Sequence, residues 1–236
     1  MRRKPDVSIV IPMFNEAGNV IPLVTQILDQ IKPLLITFEI LLVDDGSQDS
    51  TWNKIEAASS EYNQVFGLKL SRNFGHQHAL IAGLNLTKGD AIISMDADLQ
   101  HPPSVLPKLI ERWRSGSKIV YTKRHSSKHT SAFKRTSSNV FYKLFSWLTG
   151  VSIGQGSSDF RLIDRQVLTE LIKFNDVDPF VRGAVRWLGY DQASSTVEFT
   201  VGERLSGESQ YSLKKMISLA NAAIVSFSTK PLIVAM

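Results

Sequence analysis

A repeating unit constrains the fold of this chain more than any other feature. Val7-Ser8-Ile9-Val10-Ile11-Pro12, Phe38 to Val43, Val65 to Leu70 and Ala91 to Met95 read as buried strands of a parallel sheet. A polar turn follows each, and then helical spacing. After the first turn, apolar residues fall at Val20, Leu23, Val24, Ile27, Leu28 and Ile31, in a helix expected to reach Leu35. Asp49-Ser50-Thr51 opens a second helix as an N-cap, and a third covers 77–86. Four β–loop–α units within the first hundred residues predict an α/β fold, a doubly wound, mostly parallel sheet with helices on both faces. A helix from Val105 to Trp113 and a strand from Lys118 to Thr122 continue the pattern.

In such sheets ligands bind beyond the carboxyl ends of the strands. Three polar clusters fall there: Phe14-Asn15-Glu16, Asp44-Asp45-Gly46-Ser47, and Asp96-Ala97-Asp98-Leu99-Gln100-His101-Pro102. Asp96 and Asp98 stand i, i+2, which in an extended chain points both carboxylates the same way. Two hard oxygen ligands suit Mg²⁺ or Mn²⁺ shared with a diphosphate. A solvated Asp pair in a turn is the bland alternative. The paired carboxylates at Asp44 and Asp45 suit base N–H or ribose hydroxyl donors, or a strand-ending turn closed by an Asx hydrogen bond. Neither G-x-G-x-x-G nor G-x-x-x-x-G-K-[ST] occurs, so a nucleotide has to be held by side chains and a metal.

Composition narrows the remaining classes. With 236 residues, 43% hydrophobic and 21% charged, the chain has enough material for one large α/β domain or two small ones. The absence of cysteine excludes disulfides, thiol catalysis and thiolate metal sites. A net charge of +5 points to an anionic partner: nucleic acid, a phosphorylated substrate or an acidic membrane face. The basic residues are scattered without interleaved aromatics, which argues against nucleic acid. Arg2, Arg3 and Lys4 precede an apolar run too short for a signal core, and no stretch reaches the roughly 20 apolar residues of a spanning helix. The visible chain is therefore expected not to cross a bilayer.

Taken together, Ile9 to Glu16, Val43 to Asp49 and Asp96 to Pro102 resemble the family 2 glycosyltransferases with a GT-A fold. The resemblance implies that Pro12, Phe14, Asn15 and Glu16, with Asp44, Asp45 and Ser47, hold the nucleoside of a nucleotide-sugar. Asp96 and Ala97 then line the donor site, Asp98 ligates the metal with Asp96 beside it, and Gln100 forms the rim. Gly154 to Arg165, Phe180 to Gly183 and Arg204 to Ser212 resemble the polyprenyl-phosphate branch, the dolichyl- and undecaprenyl-phosphate sugar transferases. On that resemblance Asp159 is the acidic residue near the acceptor, catalytic together with Asp98. Gln210 stands where such enzymes often carry a lysine.

Guanidinium groups grip phosphate bidentately, so Arg124, Arg135, Arg182 and Arg204 are the candidates for an acceptor phosphate. A surface arginine or a salt bridge is the alternative at each. From Ser212 the residues Leu213, Met216, Ile217, Ala220, Ala223, Ile224 and Phe227 share one helical face beside Lys214 and Lys215. That pattern fits packing on its own domain or a membrane-interface helix. The expectation is a catalytic domain over 1–210 and an amphipathic helix over 211–236 that leads into a membrane region. The implied activity is metal-dependent, inverting transfer of a hexose from a UDP-glucose or GDP-mannose type donor to a polyprenyl phosphate at the cytosolic membrane face. A family 2 enzyme acting on a saccharide hydroxyl and a basic nucleic-acid-binding protein are the alternatives, and a homo-oligomer is left open.

Overall fold

Residues 4–124, 157–174 and 179–200 are described in the computed structural model of the chain. Arg135, Arg204 and the helix expected over 211–236 lie outside them, as does the boundary between the two expected domains.

Strands β1 (Val7–Met13), β2 (Phe38–Asp44), β3 (Val65–Lys69) and β4 (Ala91–Ser94) pair in parallel, and β1 is buried at all seven positions. Strands β5 (Ile119–Arg124), β6 (Ser157–Asp164) and β7 (Ser194–Phe199) extend the sheet to seven, in the order β3-β2-β1-β4-β6-β5-β7. Among the described residues only β6 runs against its neighbours: it pairs antiparallel with both β4 and β5, while β5 and β7 are parallel. The strand order reverses at β1 and β4, so the loops after these two strands diverge there and leave a crevice.

Alternate residues of the strands serve two cores. Ile9, Ile11 and Met13 face α1 (Val20–Ile31), α2 (Thr51–Glu61) and α4 (Leu106–Arg114). On the other face Val10, Ile92 and Ile163 share a core with α3 (His76–Leu86), α5 (Arg165–Leu171) and α6 (Val181–Trp187). Helix α1 buries all six apolar positions that its spacing marked, each contributing about 1.5–3 kcal/mol on transfer from water. It stops at Ile31 because Pro33 enters a short 3-10 turn, Lys32–Leu34, that ends in left-handed Leu35.

Two sequence expectations need correction. Strand β4 ends at Ser94 rather than Met95, and Asp96 to Gln100 form a bent turn with Leu99 at φ 61°. Alternation survives the bend all the same: Met95, Ala97 and Leu99 are buried, while Asp96, Asp98 and Gln100 are half-exposed. The long β6 and its helix α5, in turn, fall where no element is expected from the sequence.

Candidate active site

The loops after β1, β2 and β3 are laced into one surface. Asn15 adopts φ 56°, which its short polar side chain tolerates, and its Oδ1 accepts from Gln48 N at 2.9 Å. Its own N–H donates to Ser47 Oγ at 2.9 Å, and Glu16 N–H donates to Thr51 Oγ1 at 2.8 Å. The two acidic neighbours divide the work. Asp44 accepts from Ser47 N at 3.0 Å, closing the Asx-type turn, and its Oδ2 is buried without a hydrogen-bond partner. Asp45 turns to the third loop, where its two oxygens accept from Phe74 N at 2.8 Å and Gly75 N at 2.9 Å. Glycine is required directly after the pair: the φ of Gly46 is +69°, and a Cβ there would lie 2.6 Å from Asn73 N. Both carboxylates are nearly sealed from solvent, so Phe14, Asn15, Glu16 and Ser47 form the accessible part of this cluster, while Pro12 is locked inside β1.

The turn after β4 carries the second group. Asp98 accepts from Gln100 N at 3.1 Å. Two imidazoles flank the Asp96 carboxylate, His101 Nδ1 at 3.5 Å and His76 Nε2 at 3.6 Å. Ala97 is part of the core and offers the site only its backbone.

The third group is built on β6. Because β6 runs backwards, its beginning lies at the same sheet edge as the carboxyl ends of the parallel strands, and Ser94 pairs with Arg161. Asp159 lies far from the nucleotide-side motifs in sequence, yet it stands beside the Asp96 turn in space. Arg161 Nη2 donates to Asp159 Oδ1 at 2.6 Å and Arg182 Nη2 to Oδ2 at 2.8 Å, with Gln77 Nε2 3.4 Å from Oδ2. Burial by itself would push the Asp159 carboxyl up, but the Arg182 and Arg161 guanidiniums outweigh it and hold the group far below the usual carboxylate range. Asp159 is therefore a fixed anion. Arg161 is itself 2% exposed, and its Nε and Nη1 have no hydrogen-bond partner. Arg124 ends β5 at this edge and is exposed.

Residues 8–172 match the family model of Glycosyl transferase family 2. The chain belongs to this family. Among its relatives, an uncharacterized glycosyltransferase of Bacillus subtilis (YkcC) is 39% identical over 235 residues, 98% of this chain and 71% of that protein. The bactoprenol glucosyl transferase of Shigella phage SfX is 36% identical over 229 residues, covering 96% of this chain and 73% of that one. A homologue of that enzyme from an Escherichia coli K12 prophage is also 36% identical, over 227 residues. Among solved structures, glucosyl-3-phosphoglycerate synthase from Mycobacterium tuberculosis, in complex with Mn²⁺, UDP and glucosyl-3-phosphoglycerate, aligns with a TM-score of 0.66 and 20% identity. That alignment covers 94% of this chain and 78% of the other, and it shows a shared GT-A fold. Family membership makes the chain a transferase and decides against the nucleic-acid-binding alternative.

The family 2 motifs explain which side chains the sequence marked and which it missed. His76, Gln77 and His101 join the site without having been singled out. Gln77 carries no local signal, because its partners Asp159 and Val181 are 82 and 104 residues away. His101 had one, as a histidine directly after the acidic turn. The donor set also bears on a metal. Among the described residues no cluster of three or more His, Cys, Asp or Glu side chains could hold an ion. Asp96 and Asp98, both half-exposed on the same side of their turn, are hard oxygen donors of the kind that a divalent cation takes. The histidines are poorer candidates, since His101 Nδ1 is already occupied by Asp96 N–H at 2.9 Å.

Proposed function

We propose that this family 2 enzyme transfers a hexose from a nucleotide-sugar to a polyprenyl phosphate at the cytosolic face of a membrane, with inversion. The observation that carries the reading is Asp159, held ionised between two guanidiniums at the sheet edge that bears Asp96 and Asp98. A carboxylate so held is a poor proton acceptor. A saccharide hydroxyl needs a general base, whereas a phosphate monoester, with its second pKa near 6, already presents an anionic oxygen at neutral pH. Relatives named as bactoprenol glucosyl transferases, 36% identical along nearly the whole chain, support the same acceptor class.

In this mechanism Asn15, Glu16, Ser47 and the rim around Asp44 and Asp45 seat the nucleoside. Asp96 and Asp98 hold the diphosphate end, and they are the residues that would bind Mg²⁺ or Mn²⁺. When bound, such a cation neutralises charge that grows on the departing diphosphate. An acceptor phosphate oxygen attacks the anomeric carbon as the bond to the nucleoside diphosphate breaks. Asp159 orients Arg182 toward the acceptor and sets its negative charge against the positive charge that develops on the sugar. Arg124, Arg135 and Arg204 complete the acceptor-phosphate group in this reading, and the amphipathic sequence over 211–236 supplies the membrane-interface contact.

The test is a screen of UDP- and GDP-sugars against undecaprenyl and dolichyl phosphate, with Mn²⁺ or Mg²⁺, alongside soluble saccharides. Lipid-linked product should form, and Asp98→Ala should erase the affinity gain that Mn²⁺ gives the donor, about tenfold or more for a lost charged partner. Transfer to saccharide hydroxyls with no response to polyprenyl phosphate would overturn the assignment.

A further inference from the structure

The pairing of β4 with β6 stops one rung early, at the point where the two halves of the site meet. Arg165 N donates to Asp90 O at 2.7 Å, while Asp90 N turns to Asp6 O, and that one bond sets the phase of the antiparallel ladder. Hydrogen-bonded pairs then recur at every second residue, through 92/163 and 94/161. The next rung would join Asp96 to Asp159, the donor-side carboxylate to the acceptor-side one. Of the four backbone groups that this rung would pair, the Asp96 N–H and the Asp159 carbonyl are taken by side chains instead. Asp96 N–H donates to His101 Nδ1 at 2.9 Å, and the Ser94 hydroxyl donates to the Asp159 carbonyl.

His101 is fixed for this task. A nitrogen that accepts from a backbone N–H cannot carry its own proton, so the ring proton sits on Nε2 and donates to Ser158 Oγ at 2.8 Å. Ser158 Oγ in turn accepts from Phe160 N at 3.1 Å. The ring stacks on Phe160 at 4.9 Å between centroids and meets the edge of Phe199 at 6.0 Å. Its residue is only 7% exposed, so water does not compete for either nitrogen.

We infer that His101, in its Nε2–H tautomer, is a positioning residue that holds the Asp96 turn at a set offset from Asp159 across an opened rung of the sheet. The opening lets the donor and acceptor carboxylates diverge; the imidazole keeps them from drifting. This role rests on the proposed assignment of Asp96 to the donor side and Asp159 to the acceptor side. Misplacing one group by about 1 Å is enough to cost on the order of 10²-fold in rate.

His101→Asn keeps an acceptor for Asp96 N–H and loses the reach to Ser158, and Ser158→Ala removes the same bond from the other side. Both should lower kcat about tenfold or more per folded molecule, the range of loss seen when residues behind a ligand are removed, with a smaller effect on Kd for UDP-glucose with Mn²⁺. The loss in the double variant should fall well short of the two single losses combined, because the His101–Ser158 bond is lost in all three. Long-range ¹H–¹⁵N spectra of the His101 ring read the tautomer without any substrate, and they should show the proton on Nε2, with its signal displaced in Ser158→Ala. Thermal unfolding corrects each rate for folded fraction. A proton on Nδ1, unchanged kcat in both single variants, or additive losses in the double variant would overturn the role. Failure of the unmutated protein to glycosylate any polyprenyl phosphate would instead count against the proposed function and leave the ring spectra to decide on His101.

Discussion

The two halves of the site that the proposed function assigns to donor and acceptor are held together by different forces. On the donor side, loops after β1, β2 and β3 are stitched by hydrogen bonds of short reach between backbone N–H groups and Asn15, Asp44, Asp45, Ser47 and Thr51. Any one such bond contributes about 0.5–1.5 kcal/mol, or somewhat more where a carboxylate accepts it, and the surface tolerates losing one. The acceptor side concentrates its energy in a few buried charges, Asp159 against Arg161 and Arg182, with Arg161 almost wholly enclosed. A buried ion pair adds little when intact, but removing one member leaves a charge with neither water nor counter-ion. The comparison teaches that the donor side should fail gradually and the acceptor side abruptly.

The largest expected effect follows from that contrast. Asp159→Asn should cut kcat by about 10²-fold or more, the scale of a lost electrostatic group. It should also destabilise the fold by about 3–5 kcal/mol, because Arg161 is stranded. In differential scanning calorimetry that is a fall in Tm on the order of 10 °C for a chain of this size. Adding Arg161→Met should restore much of the Tm and none of the turnover, separating the structural from the chemical part. If the single variant melts like the unmutated protein, the abrupt side of the comparison is broken.

A middle-sized effect is expected from Gly46→Ala on the donor side. The left-handed backbone and the clash with the Arg72–Asn73 peptide should cost about 1–3 kcal/mol. Donor affinity, measured by calorimetry, should weaken while turnover at saturating donor stays near normal. Loss of kcat at saturation would mean that the two sides are coupled more tightly than their bonding implies.

The smallest effect concerns pH. The depressed pKa of Asp159 means that its folded-state stabilisation is complete above the unfolded carboxylate value near 3.9 and fades only as pH falls through the lower folded value. Between pH 5 and 9 the difference in stability between the unmutated protein and Asp159→Asn should therefore stay flat. An acid limb near pH 6 in the rate profile belongs to the acceptor phosphate in this reading. A stability difference that vanishes on going from pH 7 to pH 5 would show that Asp159 titrates in the working range.

Local chemistry alone determined the first half of this protein. Buried runs of Val, Ile and Leu have a period set by strand or helix geometry, so β1 to β4 and α1 to α4 were legible to within a few residues, with acidic and polar clusters at the strand ends. The family resemblance of those clusters is sequence information too, and Glycosyl transferase family 2 matches it. Tertiary structure decided what no local period encodes. It reversed β6, which set Asp159 opposite the turn of Asp96 across 63 residues of chain. It divided Asp44 from Asp45 by the loops each one braces. It also made Gln77 a member of the site, because hydrogen bonds depend on distance in space, and its partners Asp159 and Val181 lie 82 and 104 residues away with no trace in the sequence between.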